Sequence, residues 1–183
     1  MADAKIIYLP DPTPTKNKKT IVPKIKKIRE ITKTNIWVKR ISKEDMTTGA
    51  QLALLDNSFN TANEKQVFVY SQIKQKIRGY KRQDDVKNKW SAEEFVDLSF
   101  VLQLLVQSNL QCFYCKENVF LLYENVRDPK QWTLERVYNT RGHNKDNVEV
   151  SCLSCNIKRR TMFHEKFRFT KQIVFQKETC ESD

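Results

Sequence analysis

Four cysteines carry the clearest chemistry in this chain. Cys112-Phe113-Tyr114-Cys115 is followed, after 36 residues, by Cys152-Leu153-Ser154-Cys155. Two C-x-x-C pairs put four thiolates on two tight turns, where they can close a tetrahedral site around a soft cation. Sulfur ligands at about 2.3 Å suit Zn²⁺, so the pattern predicts a zinc site at Cys112, Cys115, Cys152 and Cys155. With all four positions filled by protein, that zinc is structural and any reaction lies elsewhere. Disulfide rungs are the other reading of paired cysteines. They belong to secreted chains, and the first residues here show no signal-peptide pattern.

The elements that must position this site are those of a polar chain. Its 183 residues are 39% hydrophobic and 30% charged, with five cysteines. No run reaches the 18 or more apolar residues of a membrane span. Cys180 is left over from the two pairs in a polar tail, which fits an intracellular, reducing compartment. The net charge of +11 is concentrated: residues 1–43 hold twelve Lys or Arg against three acids, a net +9. Such an arm is drawn to a polyanion by counterion release, nucleic acid above all. A solvated tail or a targeting signal has the same composition.

The coarse division is a basic, largely flexible arm over 1–43, a helical region over 44–109, a zinc-bound domain over 110–172 and a polar tail over 173–183. The arm opens on Pro10, Pro12 and Pro14, while Ile28, Ile31, Trp37 and Ile41 offer apolar anchors for docking part of it. Helices are expected over Thr48 to Leu55, over Glu64 to Arg78 with Gly79 as its stop, and from Ser91 to about Asn109. Ser91 and Glu94 read as a capping box for the last of these, with Phe95, Leu98, Val101, Leu102 and Leu105 as its core face. Tyr80 to Asp85 reads as a solvated loop, its adjacent acids available in principle to a metal. Trp132 to Val137 and Val148 to Val150 alternate as two strands around a long polar loop, with Gly142 supplying a bend. A helix from Cys152 to about Arg168 closes the pattern. The fold class is α+β.

Beyond the cysteines, the order Trp132-Thr133-Leu134-Glu135-Arg136-Val137, Asn139, Gly142-His143, Asn147-Val148 and Ser151-Cys152-x-x-Cys155-Asn156 resembles the HNH endonucleases. More narrowly it is similar to a branch, found in phages and nucleocytoplasmic large DNA viruses, whose strand reads Leu-Asp-Arg and whose loop reads Gly-His or Gly-Tyr. Lys76 to Asp84 and Phe167 to Gln172 are also similar to HNH-like proteins of those viruses. The resemblance covers about 110–172, extends weakly over 70–109 and is absent from the arm. It implies a treble-clef finger carrying a ββα-metal site.

That resemblance assigns roles by position. Glu135 and Asn156 fall on the ligands of a catalytic Mg²⁺ or Mn²⁺, which would neutralise charge on a scissile phosphate. Asn147 braces the loop. Most HNH enzymes place the general-base histidine where this chain has Arg136, and an arginine does not give up its proton near neutral pH. The resemblance therefore gives Arg136 the phosphate and His143 the activation of water. Glu135 in place of aspartate adds a methylene, about 1.3 Å of reach, a shift that can cost about a hundredfold in rate. Lys158, Arg159, Arg160, Lys166 and Arg168 would form a DNA-facing basic surface, and His164, eight residues beyond Asn156, is expected at the surface. The function implied is a metal-dependent DNA endonuclease. The alternative is a weakly active or inactive zinc-finger protein that binds DNA or packs in a virion on the same scaffold. A viral source would place it in host cytoplasm, nucleus or virion, with viral proteins as partners.

Overall fold

The structure is a computed structural model that describes residues 26–55 and 63–173. The proline-spaced start of the arm and Cys180 lie outside those residues. Between them run α1 (Asn35–Arg40), α2 (Thr48–Ala53), α3 (Glu64–Val86), α4 (Leu98–Gln107), β1 (Trp132–Arg136), β2 (Val148–Cys152), α5 (Leu153–Arg159) and α6 (His164–Gln172). This is a mixed helix and sheet architecture, with one two-stranded antiparallel sheet among the described residues. No described helix is long and apolar enough to cross a membrane.

Residues 26–43, assigned by sequence to the flexible arm, are packed in their described part. Ile28 bridges to Asn125, Arg29 N–H donates to the Glu124 carbonyl, and Trp37 is buried edge-on against Phe68. The apolar anchors outweigh the charge because the lysines between them point to water.

Helix α3 is 23 residues long and organises the rest. It begins on a reciprocal capping box in which Asn63 Oδ1 accepts from Gln66 N–H and Gln66 Oε1 from Asn63 N–H, each at 2.9 Å. It runs straight through Gly79 to Val86, so the expected stop at Gly79 and the loop at Tyr80 to Asp85 are both corrected. Glycine in a helix interior costs only about 0.5–1 kcal/mol. The turns beyond it are anchored by Tyr80, partly buried against β1, and by Asp84, fully buried against the long loop.

The capping box expected at Ser91 is corrected as well. Helix α4 starts seven residues later, with Asp97 Oδ1 accepting from Phe100 N–H at 2.8 Å. Residues 91–96 serve the β1–β2 loop instead. Val96 N–H donates to the His143 carbonyl, Lys145 N–H to the Glu94 carbonyl, and Asn144 Nδ2 to the Glu94 carboxylate. A tertiary set of bonds has displaced a local cap. Val101, Leu102 and Leu105 then enter the core with Val69, Ile73, Leu110, Trp132, Leu134 and Val150. Buried Gln51 on α2 ties in the irregular stretch beneath them, its Oε1 accepting from Leu121 and Leu122 N–H.

Candidate functional site

Cys112, Cys115, Cys152 and Cys155 meet, with all four sulfurs within 4.8 Å of one another. Cys115 and Cys152 Sγ are 4.0 Å apart, close to the spacing of about 3.8 Å that a tetrahedron of 2.3 Å metal–sulfur bonds requires. The first pair sits on a knuckle closed by Lys116 N–H to the Cys112 carbonyl, with Lys116 at φ 59°. The second begins α5, where Cys152 Sγ accepts from Cys155 N–H at 3.3 Å. A hydrogen bond from Cys152 draws the Cys112 thiol down to about 5. Burial, then the Cys112 charge, pushes the Cys155 thiol up to about 12. Four thiolates this close together repel one another and need a cation among them. The cluster could therefore hold a metal ion such as zinc.

Strand alternation turns Thr133 and Glu135 to one face of β1 and Leu134 and Arg136 to the other. Helix α5 faces the first set. Asn156 Nδ2 donates to Thr133 Oγ1 at 3.1 Å, and Glu135 Oε1 accepts from Arg159 Nε at 2.6 Å and Nη2 at 2.5 Å. Among the described residues, Glu135 Oε2 and Asn156 Oδ1 accept no hydrogen bond. They are the oxygens that remain for a cation, but the Arg159 guanidinium already compensates the carboxylate. Burial pushes the Glu135 carboxyl above its ordinary value while Arg159 works against that shift.

Arg159 is the largest correction to the expected DNA surface. It is 2% exposed. Besides Glu135, its guanidinium donates to the carbonyls of Arg136 and Met162 and to Asn139 Oδ1. Its donors are spent inside the protein. Lys158, Arg160, Lys166 and Arg168 are exposed as expected of a basic surface.

The opposite set is met by α3, whose Lys76, Tyr80 and Asp84 fall four residues apart on one stripe. Lys76 Nζ donates to the Trp132 carbonyl, and Tyr80 Oη accepts from Leu134 N–H at 3.0 Å. These side chains, with Arg159, satisfy backbone groups along the free edge of β1 that a third strand would otherwise pair. Asp84, fully buried, turns instead to the β1–β2 loop. Its carboxylate accepts from His143 N–H at 2.6 Å and lies 2.9 Å from His143 Nδ1, with Arg136 Nη1 at 3.8 Å. The His143 ring stacks on Tyr80 at 4.5 Å. His143 Nε2 has no hydrogen-bond partner among the described residues. Burial lowers the pKa of His143 below 6.5, and the Asp84 carboxylate opposes the shift.

The loop that carries His143 is held rigidly. Asn147, fully buried, accepts from Tyr138 N–H at 2.9 Å and donates to the carbonyls of Tyr138 and Gly142. Gly142 is needed for closeness rather than for a bend: it has no positive φ, and a Cβ there would overlap the Lys89 carbonyl oxygen and crowd Asp84.

The structure thus groups His143, Arg136, Asp84 and Tyr80 on one side of β1, and Glu135, Asn156 and Arg159 on the other. Asp84 and Tyr80 were missed because mixed charge disguised a helix end as a loop. The signal available was the i, i+4, i+8 spacing of Lys76, Tyr80 and Asp84. His164 is half-buried rather than fully at the surface, with its ring against Tyr138 at 5.6 Å and its Nδ1 buried. The helix expected to run from Cys152 to Arg168 breaks at Arg160, at φ 51°, so straight-helix spacing from Asn156 does not apply to His164.

Comparisons with protein-family models, with curated proteins and with solved structures return no match.

Proposed function

We propose that the chain is a metal-dependent DNA endonuclease of the HNH type, built on a zinc-bound treble clef. The knuckle at Cys112 and Cys115, the β1–β2 hairpin and α5 starting on the second cysteine pair support that scaffold. The observation that carries the activity is the Asp84–His143 pair. A carboxylate on Nδ1 fixes the imidazole tautomer with its proton at Nδ1, which leaves Nε2 as a base. Burial keeps that base neutral at pH 7. Arg136, beside Asp84 and 14% exposed, supplies a fixed positive charge for a phosphate oxygen. His143 takes the proton of a water, the hydroxide oxygen bonds to phosphorus as the P–O bond to the sugar oxygen breaks, and that oxygen leaves with the electron pair and is protonated from solvent.

Glu135 Oε2 and Asn156 Oδ1 are the atoms that would hold a catalytic Mg²⁺ or Mn²⁺, whose chemistry is to neutralise charge on the phosphate and the leaving oxygen; they lie on the face of β1 opposite His143 and Arg136, so the phosphate would have to lie across the strand to meet both. One observation favours a second reading, a DNA-binding or structural zinc protein on the same scaffold: the buried Arg159–Glu135 pair occupies the acidic ligand with a cation already. Plasmid nicking by zinc-loaded protein decides between them. The nuclease reading expects nicking with Mg²⁺ or Mn²⁺, abolished by EDTA and by Glu135→Ala. Salt-sensitive DNA binding with no nicking under any metal supports the second reading.

A further inference from the structure

At the other end of the α3 stripe, a cavity of 160 Å³ is lined by Arg29, Gln72, Gln75, Lys76, Leu121, Tyr123 and Trp132. We propose that this cavity binds a phosphate group, held between the Arg29 guanidinium and the Lys76 ammonium, which themselves rest on the rings of Tyr123 and Trp132. The inference does not depend on the nuclease reading, since His143, Asp84, Arg136, Glu135 and Asn156 do not line this cavity.

The charge balance is the first argument. Arg29 and Lys76 both face the cavity, no carboxylate lines it, and neither cation forms an ion pair among the described residues. Their bonds go to neutral acceptors. Arg29 donates to the Tyr123 carbonyl at 3.0 Å and to Gln72 Oε1 at 3.2 Å, and Lys76 to Gln131 Oε1 at 3.2 Å and the Trp132 carbonyl. Both lie over the Tyr123 ring, at 4.0 and 5.2 Å, and Lys76 also lies over the Trp132 ring at 4.7 Å. Two like charges gathered in a partly buried space, with donors left over, are complementary to an anion. In support, burial and then the Arg29 charge bring the Lys76 ammonium down to about 7. An anion between them would favour the ammonium and so offset both effects.

Size and donors choose the anion. A cavity of 160 Å³ has room for one tetrahedral oxyanion. Gln72 gives its Oε1 to Arg29 and keeps its amide N–H groups, and exposed Gln75 stands at the mouth. The fork of an arginine, a lysine point charge and amide donors suit the several acceptor oxygens of phosphate. The group can arrive as free inorganic phosphate or as a backbone phosphate of a nucleic acid.

The test uses full-length, zinc-loaded protein with inorganic phosphate as probe, at ionic strength held constant with chloride. In the unaltered protein, acylation of Lys76 by an amine-reactive ester, read by peptide mass spectrometry, is expected to slow saturably as phosphate is added. Calorimetry gives the affinity, which is expected to fall about tenfold or more in Lys76→Met and in Arg29→Gln but not in Lys33→Met, an exposed lysine elsewhere. A short oligonucleotide without terminal phosphates then separates the sources. Protection of Lys76 by the oligonucleotide assigns the site to a nucleic-acid backbone, and protection by inorganic phosphate alone assigns it to the free ion. Lys76 acylation unchanged by either probe, or phosphate affinity equal in the wild type and a folded pocket variant, overturns the proposal.

Discussion

Asp84 and His143 are 59 residues apart in sequence, yet the Asp84 carboxylate accepts the His143 backbone N–H at 2.6 Å and lies 2.9 Å from His143 Nδ1. One side chain thereby fixes both the loop's backbone and the ring it presents. Asp84→Ala leaves Arg136 without its buried counter-charge and the His143 N–H and Nδ1 without an acceptor, and we expect a stability loss of about 3–5 kcal/mol by urea unfolding. Asp84→Asn retains an acceptor for the backbone N–H and is expected to lose less.

The pH dependence follows from the sign of the His143 shift. Its folded-state pKa lies below 6.5 because burial disfavours the imidazolium. The fold therefore prefers the neutral ring. The associated stability is complete above pH 6.5 and is lost as pH falls from there through the lowered folded value. Urea midpoints measured from pH 8 to pH 5 should decline below pH 6.5 in the wild type, and His143→Gln should flatten that part of the decline.

The Arg159–Glu135 pair makes an asymmetric prediction. Arg159→Met leaves a buried carboxylate uncompensated and is expected to cost about 3–5 kcal/mol. Glu135→Gln leaves Arg159 its carbonyl partners and is expected to cost less. Equal, near-zero costs in thermal melts would mean that the pair does not hold α5 against β1.

The two glycines on either side of the site should respond with opposite signs. Gly79 sits inside α3 with open space around its Cα, so Gly79→Ala is expected to stabilise by about 0.5–1 kcal/mol. Gly142→Ala drives a methyl into the Lys89 carbonyl and is expected to destabilise by about 1–3 kcal/mol. Denaturant midpoints of the two variants read both signs directly.

What the sequence makes legible here is whatever depends on local spacing. The two C-x-x-C pairs announce their cluster, and the alternation of Trp132 to Val137 and of Val148 to Val150 announces the hairpin. Helix α2, over Thr48–Ala53, falls within the short helix expected over Thr48 to Leu55. What escaped depends on contacts between distant segments. Asp84 looks like solvated charge until His143 is brought to it, and Ser91 to Glu94 looks like a helix cap until Asn144 and Lys145 claim Glu94. Arg159 looks like one more base on a basic helix, and only the buried Glu135 opposite turns it inward.

Metal removal tests the scaffold. Four sulfurs within 4.8 Å predict one tightly held zinc per chain by elemental analysis, and chelation or Cys155→Ser should abolish cooperative melting, because metal binding is folding free energy in such sites.

If Asp84 and His143 act as one unit in the proposed phosphodiester hydrolysis, a double-mutant cycle on plasmid nicking shows it. With zinc retained and Mg²⁺ or Mn²⁺ supplied, His143→Ala should lower the nicking rate by about 10²–10⁴-fold. Asp84→Asn should lower it too, and the double variant should be no slower than His143→Ala alone. Nicking at the wild-type rate in folded His143→Ala would contradict the account.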